Sequence, residues 1–176
     1  GTYYGDDIDK NGLFSIPLED NKLVKINFNK KFDTSKVLDM QYMFYNCSGL
    51  TTIDLSKFTT NKVTNMECMF NGCYRLSNVN ITKFDTTSVT NFSGMFAYCY
   101  NLTNLDLSHI VTSNATNTYG MFCECTRLAS LDLSKFDTTK ITNMKNMFYG
   151  CEAIKELDLT SFDTRQVIDT SGMFAK

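Results

Sequence analysis

The stretch TNMECMFNGC, residues 64–73, contains two methionines and two cysteines. Thiolate and thioether sulfurs are the ligands that soft metals prefer, and a pair of thiols can also carry out redox chemistry. A structural zinc site is disfavoured, because the chain has no Cys-x-x-Cys pair and His109 is its only histidine. Packing in a hydrophobic core is the third explanation, and the rest of the chain decides between them.

A catalytic cysteine would need a base, and His109 is the one histidine that could serve. The equivalent positions of the repeat described below are Lys57, Lys83 and Lys135, which indicates a solvent-facing position. No other arrangement of nucleophile, base and acid is visible. We therefore expect no enzymatic activity.

A second set of oxygen-bearing side chains lies near the N-terminus in DIDKNG. Asp7, Asp9 and Asn11 alternate before a glycine, as in the first half of an EF-hand calcium loop. The twelfth position, which should be a bidentate glutamate, is Leu18. Either a calcium site or a plain Asx turn fits this pattern. The sequence indicates no other metal or cofactor.

A fixed 26-residue period runs through most of the chain. Met-Phe pairs recur at this interval, without insertion, from residues 43–44 to residues 173–174. Five cysteines keep the same step: Cys47, Cys73, Cys99, Cys125 and Cys151. Such a period indicates a solenoid, in which each coil buries its apolar face against its neighbours. The sequence predicts that residues 32–176 form about five and a half coils, the last incomplete, and that residues 1–31 form an N-terminal cap.

Two apolar periods alternate within one repeat. Apolar residues at 66, 69, 70 and 73 have the spacing of a short amphipathic helix, with Asn65 as its N-cap. The following Val-Asn-Ile, residues 79–81, alternates apolar and polar side chains as a short strand does. We therefore predict an α/β repeat fold, a right-handed solenoid of leucine-rich-repeat type. Each coil should contain one short parallel strand and one short helix.

The cysteine column most simply fills the core of this solenoid, where small thiols and adaptable thioethers pack in every coil. Disulfides between neighbouring coils are the alternative, because a coil spacing of about 4.8 Å is within reach of the bond. Cys68 and Cys123 lie outside the column, at different positions of their coils, and are not expected to pair. The sequence leaves their redox state open.

The string LDLSKFDTTKITNMKNMFYGC, residues 131–151, resembles the repeat of the BspA-like leucine-rich-repeat surface proteins. It is most similar to their 26-residue subfamily, which is also found in mycoplasma surface lipoproteins. The matching features are LDLS, F-D-T-[ST]-x-[VI]-T-N-M and M-F-x-x-C, repeated from Phe32 to Lys176. The resemblance implies a secreted or surface-anchored protein of a bacterium or protist that works in adhesion, without enzymatic activity.

The fourth repeat departs from this pattern in HIVTSNATNTYGMF. Ile110 replaces a phenylalanine, Val111 an aspartate, Ala115 a valine and Thr118 a methionine. Three of these changes shrink or polarise core positions, so we expect this coil to be softer or bent. The sequence stops in mid-repeat at Lys176, which leads us to expect a longer native array.

Tyrosines form the first candidate surface for ligand binding. Seven of the nine lie close to the Met-Phe pairs, at positions that vary between coils: Tyr42, Tyr45, Tyr74, Tyr98, Tyr100, Tyr119 and Tyr149. Tyrosine offers wide amphipathic contact at low entropic cost and is enriched at interfaces. Such rings can equally pack along the outside of the coils, and the sequence does not separate the two explanations.

The polar column of the predicted strand forms the second candidate surface: Asp54, Asn80, Asp106, Asp132 and Asp158. Carboxylates stacked at the coil spacing repel one another unless a cation or hydrogen bonds offset the charge. A cationic ligand or metal ion on this face is one hypothesis. Hydrogen bonds to turn amides or threonine hydroxyls are the alternative.

Composition limits the classes of partner. The net charge of −2, with both signs interspersed, argues against a nucleic-acid surface. No apolar run approaches the roughly 18 residues of a membrane span. Together with these limits, the resemblance implies an extracellular, cell-surface module that binds a protein or glycan of a host or partner cell. A structural spacer or assembly module without a ligand is the alternative, and the sequence leaves the oligomeric state open.

Overall fold

The computed structural model describes residues 23–176, which wind into successive coils, one for each repeat of the sequence. We number the coils from Phe32: coils 1 to 5 are residues 32–57, 58–83, 84–109, 110–135 and 136–161, and coil 6 is residues 162–176. Parallel backbone bridges join each coil to the next: Asp39–Asn65, Asn65–Asn91, Asn91–Asn117, Asn117–Asn143 and Asn143–Asp169. The described residues therefore form the predicted repeat solenoid.

Residues 23–31 pack on the first coils. The Phe28 ring contacts the rings of Phe32 and Phe58, with centroids 4.3 and 5.2 Å away. The Lys57 ammonium donates hydrogen bonds to the carbonyl groups of Phe28 and Asn29, at 3.2 and 3.1 Å. This short segment therefore shields part of the apolar surface of coils 1 and 2.

No α-helix or β-strand forms within residues 23–176, so neither element predicted for each coil is present there. The segment predicted as a helix is a series of tight turns. We call it the Met-Phe segment: residues 39–47 in coil 1 and the equivalent residues of the other coils. Its amides alternate between two kinds of acceptor. In coil 1 the N–H of Phe44 donates to the carbonyl of Met69 in coil 2 at 2.9 Å, whereas the N–H of Tyr45 donates to Tyr42 at 3.0 Å.

Hydrogen bonds between coils replace the bonds that a helix would make within itself. Four amide-to-carbonyl bonds of 2.7 to 3.0 Å run from each Met-Phe segment to the next one. Every second backbone donor is thereby paired across the coil boundary, as in a parallel ladder. The pairing that holds the solenoid together therefore lies in the segment where a helix was predicted.

Left-handed backbone positions, two in each Met-Phe segment of coils 1 to 5 and one in coil 6, exclude a helix. Positive φ angles recur at the repeat interval in two columns: Tyr42, Cys68, Gly94, Gly120, Asn146 and Gly172, and then Asn46, Gly72, Tyr98, Glu124 and Gly150. An α-helix needs φ near −63° at every residue. Helical spacing of apolar residues arises here from consecutive turns, which also bring every third or fourth side chain to the core.

The predicted strand keeps its pattern of burial without forming a ladder. Val79 and Ile81 are buried, whereas Asn80 between them is exposed. No backbone hydrogen bond joins residues 79–81 to a neighbouring coil among the described residues. Alternating burial at this position comes from the extended chain path alone.

Stacked phenylalanines form the centre of the core. The rings of the Met-Phe pairs stack from coil to coil with successive centroids 5.4 to 6.0 Å apart: Phe44, Phe70, Phe96, Phe122, Phe148 and Phe174. The column cysteines pack beside them, and from Cys73 onward each thiol donates to a phenylalanine carbonyl of the preceding coil. The Cys99 Sγ, for example, lies 3.2 Å from the Phe70 carbonyl oxygen. All seven cysteines are free thiols, so the core-packing explanation holds and the disulfide alternative is wrong.

Coil 4 keeps its substituted residues inside. Ile110, Ala115 and Thr118 are all buried, and the Thr118 hydroxyl donates to the Asn143 carbonyl of coil 5 at 3.2 Å. A second phenylalanine column, in which Phe58 stacks on Phe84 at 6.3 Å, is interrupted at Ile110. The departures from the repeat therefore change the shape of the core without leaving the Thr118 hydroxyl unpaired.

A buried threonine column supplies a further link between coils. Five threonines, at most 4% exposed, share it: Thr34, Thr60, Thr86, Thr112 and Thr138. The Thr86 Oγ1 donates to the Val111 carbonyl at 2.9 Å and accepts from the Val111 N–H at 2.8 Å. One hydroxyl thus satisfies both backbone groups of a residue in the next coil.

Candidate functional site

Five tyrosines on the Met-Phe side of coils 1 to 3 form two ring clusters. Tyr42 and Tyr45 meet edge to face at 5.4 Å. Tyr74 stacks on Tyr100 at 5.1 Å, and Tyr98 meets Tyr100 edge to face at 6.2 Å. We call these five residues the tyrosine surface. The other two predicted binding residues, Tyr119 and Tyr149, are half-buried in coils 4 and 5, outside the two clusters.

The turns of the Met-Phe segment position these rings. Tyr42, which is 44% exposed, and Tyr98 occupy left-handed positions with φ of 57° and 59°. That conformation costs a residue with a Cβ about 1–2 kcal/mol relative to the right-handed region. The equivalent positions in other coils include Gly94, Gly150 and Gly172, for which the cost is absent. Tyrosine is thus retained at positions where glycine would be less strained.

Burial keeps the phenols of this surface neutral. Partial desolvation is the main cause that raises the pKa of Tyr42, Tyr74, Tyr98 and Tyr100. The neighbouring phenols of Tyr100 and Tyr45 raise the pKa of Tyr74 further. The phenols are therefore neutral at neutral pH, and each carries one O–H that can donate a single hydrogen bond.

Two glutamates border the tyrosine surface, and sequence analysis missed both. The Tyr42 hydroxyl donates to the Glu67 carboxylate at 3.2 Å. Burial raises the pKa of Glu124, and the negative charge of Glu152 in the next coil raises it further. The period of the sequence could have identified Glu67, because it lies almost one full repeat after Tyr42 and so faces it across one coil boundary.

The two cysteines outside the column are inert in this structure. Cys68 and Cys123 are buried, and desolvation raises the pKa of both thiols, that of Cys123 to about 12. The Cys123 thiol also hydrogen-bonds with Tyr98 beneath the tyrosine surface. Since the thiolate is the reactive form, neither residue is a nucleophile at neutral pH.

The aspartate column of the second candidate surface is exposed but already hydrogen-bonded. Its five side chains cap local turns by accepting from the backbone N–H two residues later, at 2.9 to 3.1 Å: Asp54, Asn80, Asp106, Asp132 and Asp158. Hydrogen bonds from the serine or threonine at that position are the main cause of the lowered pKa of the four carboxyl groups. This agrees with the turn-amide alternative, and it places the column in turns and not on the predicted sheet.

Neither a cluster of metal-ligating side chains nor a membrane-spanning helix is found within residues 23–176. Within residues 23–176, no three histidine, cysteine or acidic side chains lie close enough together to hold a metal ion. The predicted calcium ligands Asp7, Asp9 and Asn11 lie outside the described residues. The described part of the chain also contains no apolar helix of the length needed to cross a membrane.

Comparison with known proteins gives one family and three distant structural likenesses, two of which follow. The family model described as "Mycoplasma protein of unknown function, DUF285" matches residues 18–130 and 100–176. The leucine-rich repeat protein TpLRR of T. pallidum is similar over 74% of this chain and 67% of its own length, at 14% identity and a TM-score of 0.39. A leucine-rich repeat protein from Bacteroides ovatus ATCC 8483 is similar over 70% of this chain, at 20% identity and a TM-score of 0.41.

This chain spans 37% of the length of the Bacteroides protein. None of the curated proteins compared with the chain matches it. The family match extends over the cysteine column, the Met-Phe pairs and the threonine column, which are the features that carried the resemblance seen in the sequence. The predicted kinship is thus confirmed, and the chain belongs to the family of mycoplasma proteins of unknown function DUF285, with repeats of the BspA-like leucine-rich type.

Proposed function

We propose that this protein is a non-enzymatic cell-surface binding module whose tyrosine surface contacts a protein or glycan of a host or partner cell. The observation that carries the proposal is the pair of partly exposed ring clusters, in which neighbouring tyrosines hold one another in place. Surface location is part of the proposal and follows the surface proteins that the repeat resembles.

The chemistry of the tyrosine surface suits a protein or glycan partner. Rings held by one another lose little freedom on binding, and neutral phenols can donate hydrogen bonds at the rim of a contact. The aspartate column is a weaker candidate for the binding site, because its carboxylates already accept hydrogen bonds from turn amides. A partner there would have to compete with those bonds.

Solid-phase binding of the whole chain to host cells and matrix proteins tests the proposal. The test variant is Tyr74→Ser with Tyr100→Ser, which removes the stacked pair of coils 2 and 3. Tyr149→Ser is the matched control, because that ring is also half-buried but lies outside the clusters. We expect saturable binding that falls at least tenfold in the double variant and is unchanged in the control, with melting curves of all three recorded. Equal binding by the double variant would refute the assignment to this surface.

A further inference from the structure

Two negative charges stand beside the larger ring cluster of the tyrosine surface, which consists of Tyr74, Tyr98 and Tyr100. Besides burial, the charge of Glu124 in coil 4 raises the pKa of Tyr98 and Tyr100 in coil 3. Burial and the charge of Glu152 in coil 5 raise the pKa of Glu124 in turn. Glu124 is half-buried and Glu152 is exposed. Rings and carboxylates therefore border one another across coils 3 to 5.

The backbone of coil 5 leaves room for the Glu124 carboxylate. Glu124 has a left-handed φ of 59° and lies one repeat after Tyr98 and one repeat before Gly150. A Cβ at Gly150 would lie 2.8 Å from the Glu124 carboxylate, which is closer than packed atoms approach. The carboxylate thus lies directly against the Gly150 backbone, in a place that any residue other than glycine would occupy.

These carboxylates have no ion-pair partner in the described part of the chain. Neither Glu124 nor Glu152 forms a salt bridge there, and Lys155, three residues after Glu152, lies beyond ion-pair distance. A half-buried carboxylate with a raised pKa has lost contact with water without gaining an equally favourable partner. A cation supplied by another molecule would provide that partner.

Two arginines near the cluster do not neutralise this charge. Arg127 follows Glu124 by three residues, but its guanidinium donates to the Asn101 side chain at 3.0 Å. Arg75 adjoins Tyr74 in coil 2, at the opposite end of the cluster from Glu124 in coil 4. The negative charge at the coil 4 end is therefore open to a ligand.

The glutamate of the smaller cluster is engaged within the chain. Glu67 accepts from the Tyr42 hydroxyl at 3.2 Å and from the Asn91 side-chain amide at 3.0 Å. A cation at Glu67 would compete with both of those hydrogen bonds. This difference favours the larger cluster as the place where a cation binds.

Contacts within the larger cluster fix the rings that a ligand would meet. Tyr74 stacks on Tyr100 with centroids 5.1 Å apart, and Tyr98 meets Tyr100 edge to face at 6.2 Å. The Tyr98 hydroxyl is also hydrogen-bonded with the Cys123 thiol. Rings that are fixed before binding cost a ligand less ordering free energy. Tyr98 and Tyr100 are still partly exposed, so a planar group can contact them.

We propose that Tyr98, Tyr100 and Glu124 bind an arginine side chain of a partner protein. The guanidinium would lie on the rings and donate paired hydrogen bonds to the Glu124 carboxylate, and Glu152 would add a second negative charge. Arginine fits better than lysine, because its planar group both stacks on aromatic rings and matches the geometry of a carboxylate. The inference rests on the proposed function and names the chemistry of the partner at that surface.

Amide chemical shifts of the whole ¹⁵N-labelled chain, titrated with N-acetyl-arginine-amide, test the inference. We expect saturable shifts centred on residues 98–100 and on Glu124. Binding should be about tenfold weaker for N-acetyl-citrulline-amide, which has the same shape without the charge. Glu124→Gln should also weaken arginine binding about tenfold. Glu156→Gln is the matched control, because it removes an exposed charge elsewhere in coil 5, and it should leave binding unchanged.

The melting temperature of Glu124→Gln separates lost binding from lost folding. The raised pKa of Glu124 means that its charged form is less favourable in the folded chain than in the unfolded chain. A neutral glutamine should therefore leave the Tm unchanged or raise it. Weaker binding at an undiminished Tm is the expected result.

Several results would overturn the inference. Equal binding of the arginine and citrulline amides would exclude recognition of the charge, and equal binding by Glu124→Gln and the unaltered chain would exclude that carboxylate. Methyl β-galactoside that binds both chains alike, in preference to the arginine amide, would assign the rings to a neutral glycan.

The solid-phase assay separates this inference from the proposed function. Normal binding of Glu124→Gln to host cells, with binding lost in Tyr74→Ser, Tyr100→Ser, would reject the arginine and keep the tyrosine surface. Normal binding by both variants would reject the inference and the proposed function together. We expect both variants to lose binding while Glu156→Gln retains it.

Discussion

The threonine column offers the sharpest test of how this solenoid is held together. Thr86→Val replaces a hydroxyl by a methyl group of nearly the same size in coil 3. The hydroxyl is fully buried, donates to the Val111 carbonyl at 2.9 Å and accepts from the Val111 N–H at 2.8 Å. The substitution therefore removes two hydrogen bonds at once and leaves the partly buried backbone donor and acceptor of Val111 without that partner.

The expected loss follows from those two groups. A buried polar group that loses its partner costs about 1–3 kcal/mol. The extra methyl group recovers part of this through apolar burial, so we expect the free energy of unfolding to fall by about 2–4 kcal/mol. For a chain of 176 residues this corresponds to a lower Tm by roughly 4–16 °C.

Thr164→Val is the matched control for this prediction. Thr164 belongs to the same column in coil 6, but its side chain is exposed. An exposed hydroxyl exchanges bonds with water, so its removal should change the free energy of unfolding by less than about 0.5 kcal/mol. Urea denaturation at room temperature, followed by circular dichroism, measures both variants. A Thr86→Val loss no larger than that of Thr164→Val would refute the role given to the column.

Two further predictions concern ionisation and backbone geometry. Burial raises the pKa of Cys123 and Cys151 to about 12, above the roughly 8.5 of an unfolded thiol. The contribution of these neutral thiols to folding stability is therefore complete below pH 8.5 and is lost as pH rises toward 12. Urea melts at pH 7.5, 9 and 10.5 should show stability falling by up to about 1.4 kcal/mol per pH unit for each such thiol, and a flat profile would contradict this. Gly150→Ala places a Cβ at φ +69° and 2.8 Å from the Glu124 carboxylate, and should cost about 1–2 kcal/mol in the same assay. Adding Glu124→Ala should recover only the part of that loss that comes from the clash with the Glu124 side chain. Full recovery would show that the left-handed backbone costs nothing.

The fixed period of the sequence made the solenoid and much of its core predictable. Residues at one position of every coil share one environment, so a phenylalanine or cysteine repeated in register must pack on its own equivalents. Phe70 and Cys99 are buried for this reason, as the sequence predicted. The same logic predicted that acids such as Asp106 would need partners, and turn amides supply them.

Local conformation within the coil was not predictable from the same pattern. The spacing of Met66, Met69 and Phe70 fits a helix, yet Cys68 between them has a positive φ. Glycine marks that turn only in coils 3, 4 and 6, at Gly94, Gly120 and Gly172. The same position holds Tyr42 in coil 1 and Cys68 in coil 2, so the first two repeats give no such signal. The left-handed conformation is imposed by the amides of neighbouring coils, whose bonds exist only after stacking.

Features that the sequence alone determined and features that the tertiary structure decided thus differ in the sequence separation of the contacts that produce them. Periodicity and residue type alone determined the repeat, the family and the buried columns. Tertiary structure decided which amides pair between coils and which tyrosines meet. Those outcomes depend on contacts between residues about one repeat apart, which form only when one coil lies on the next.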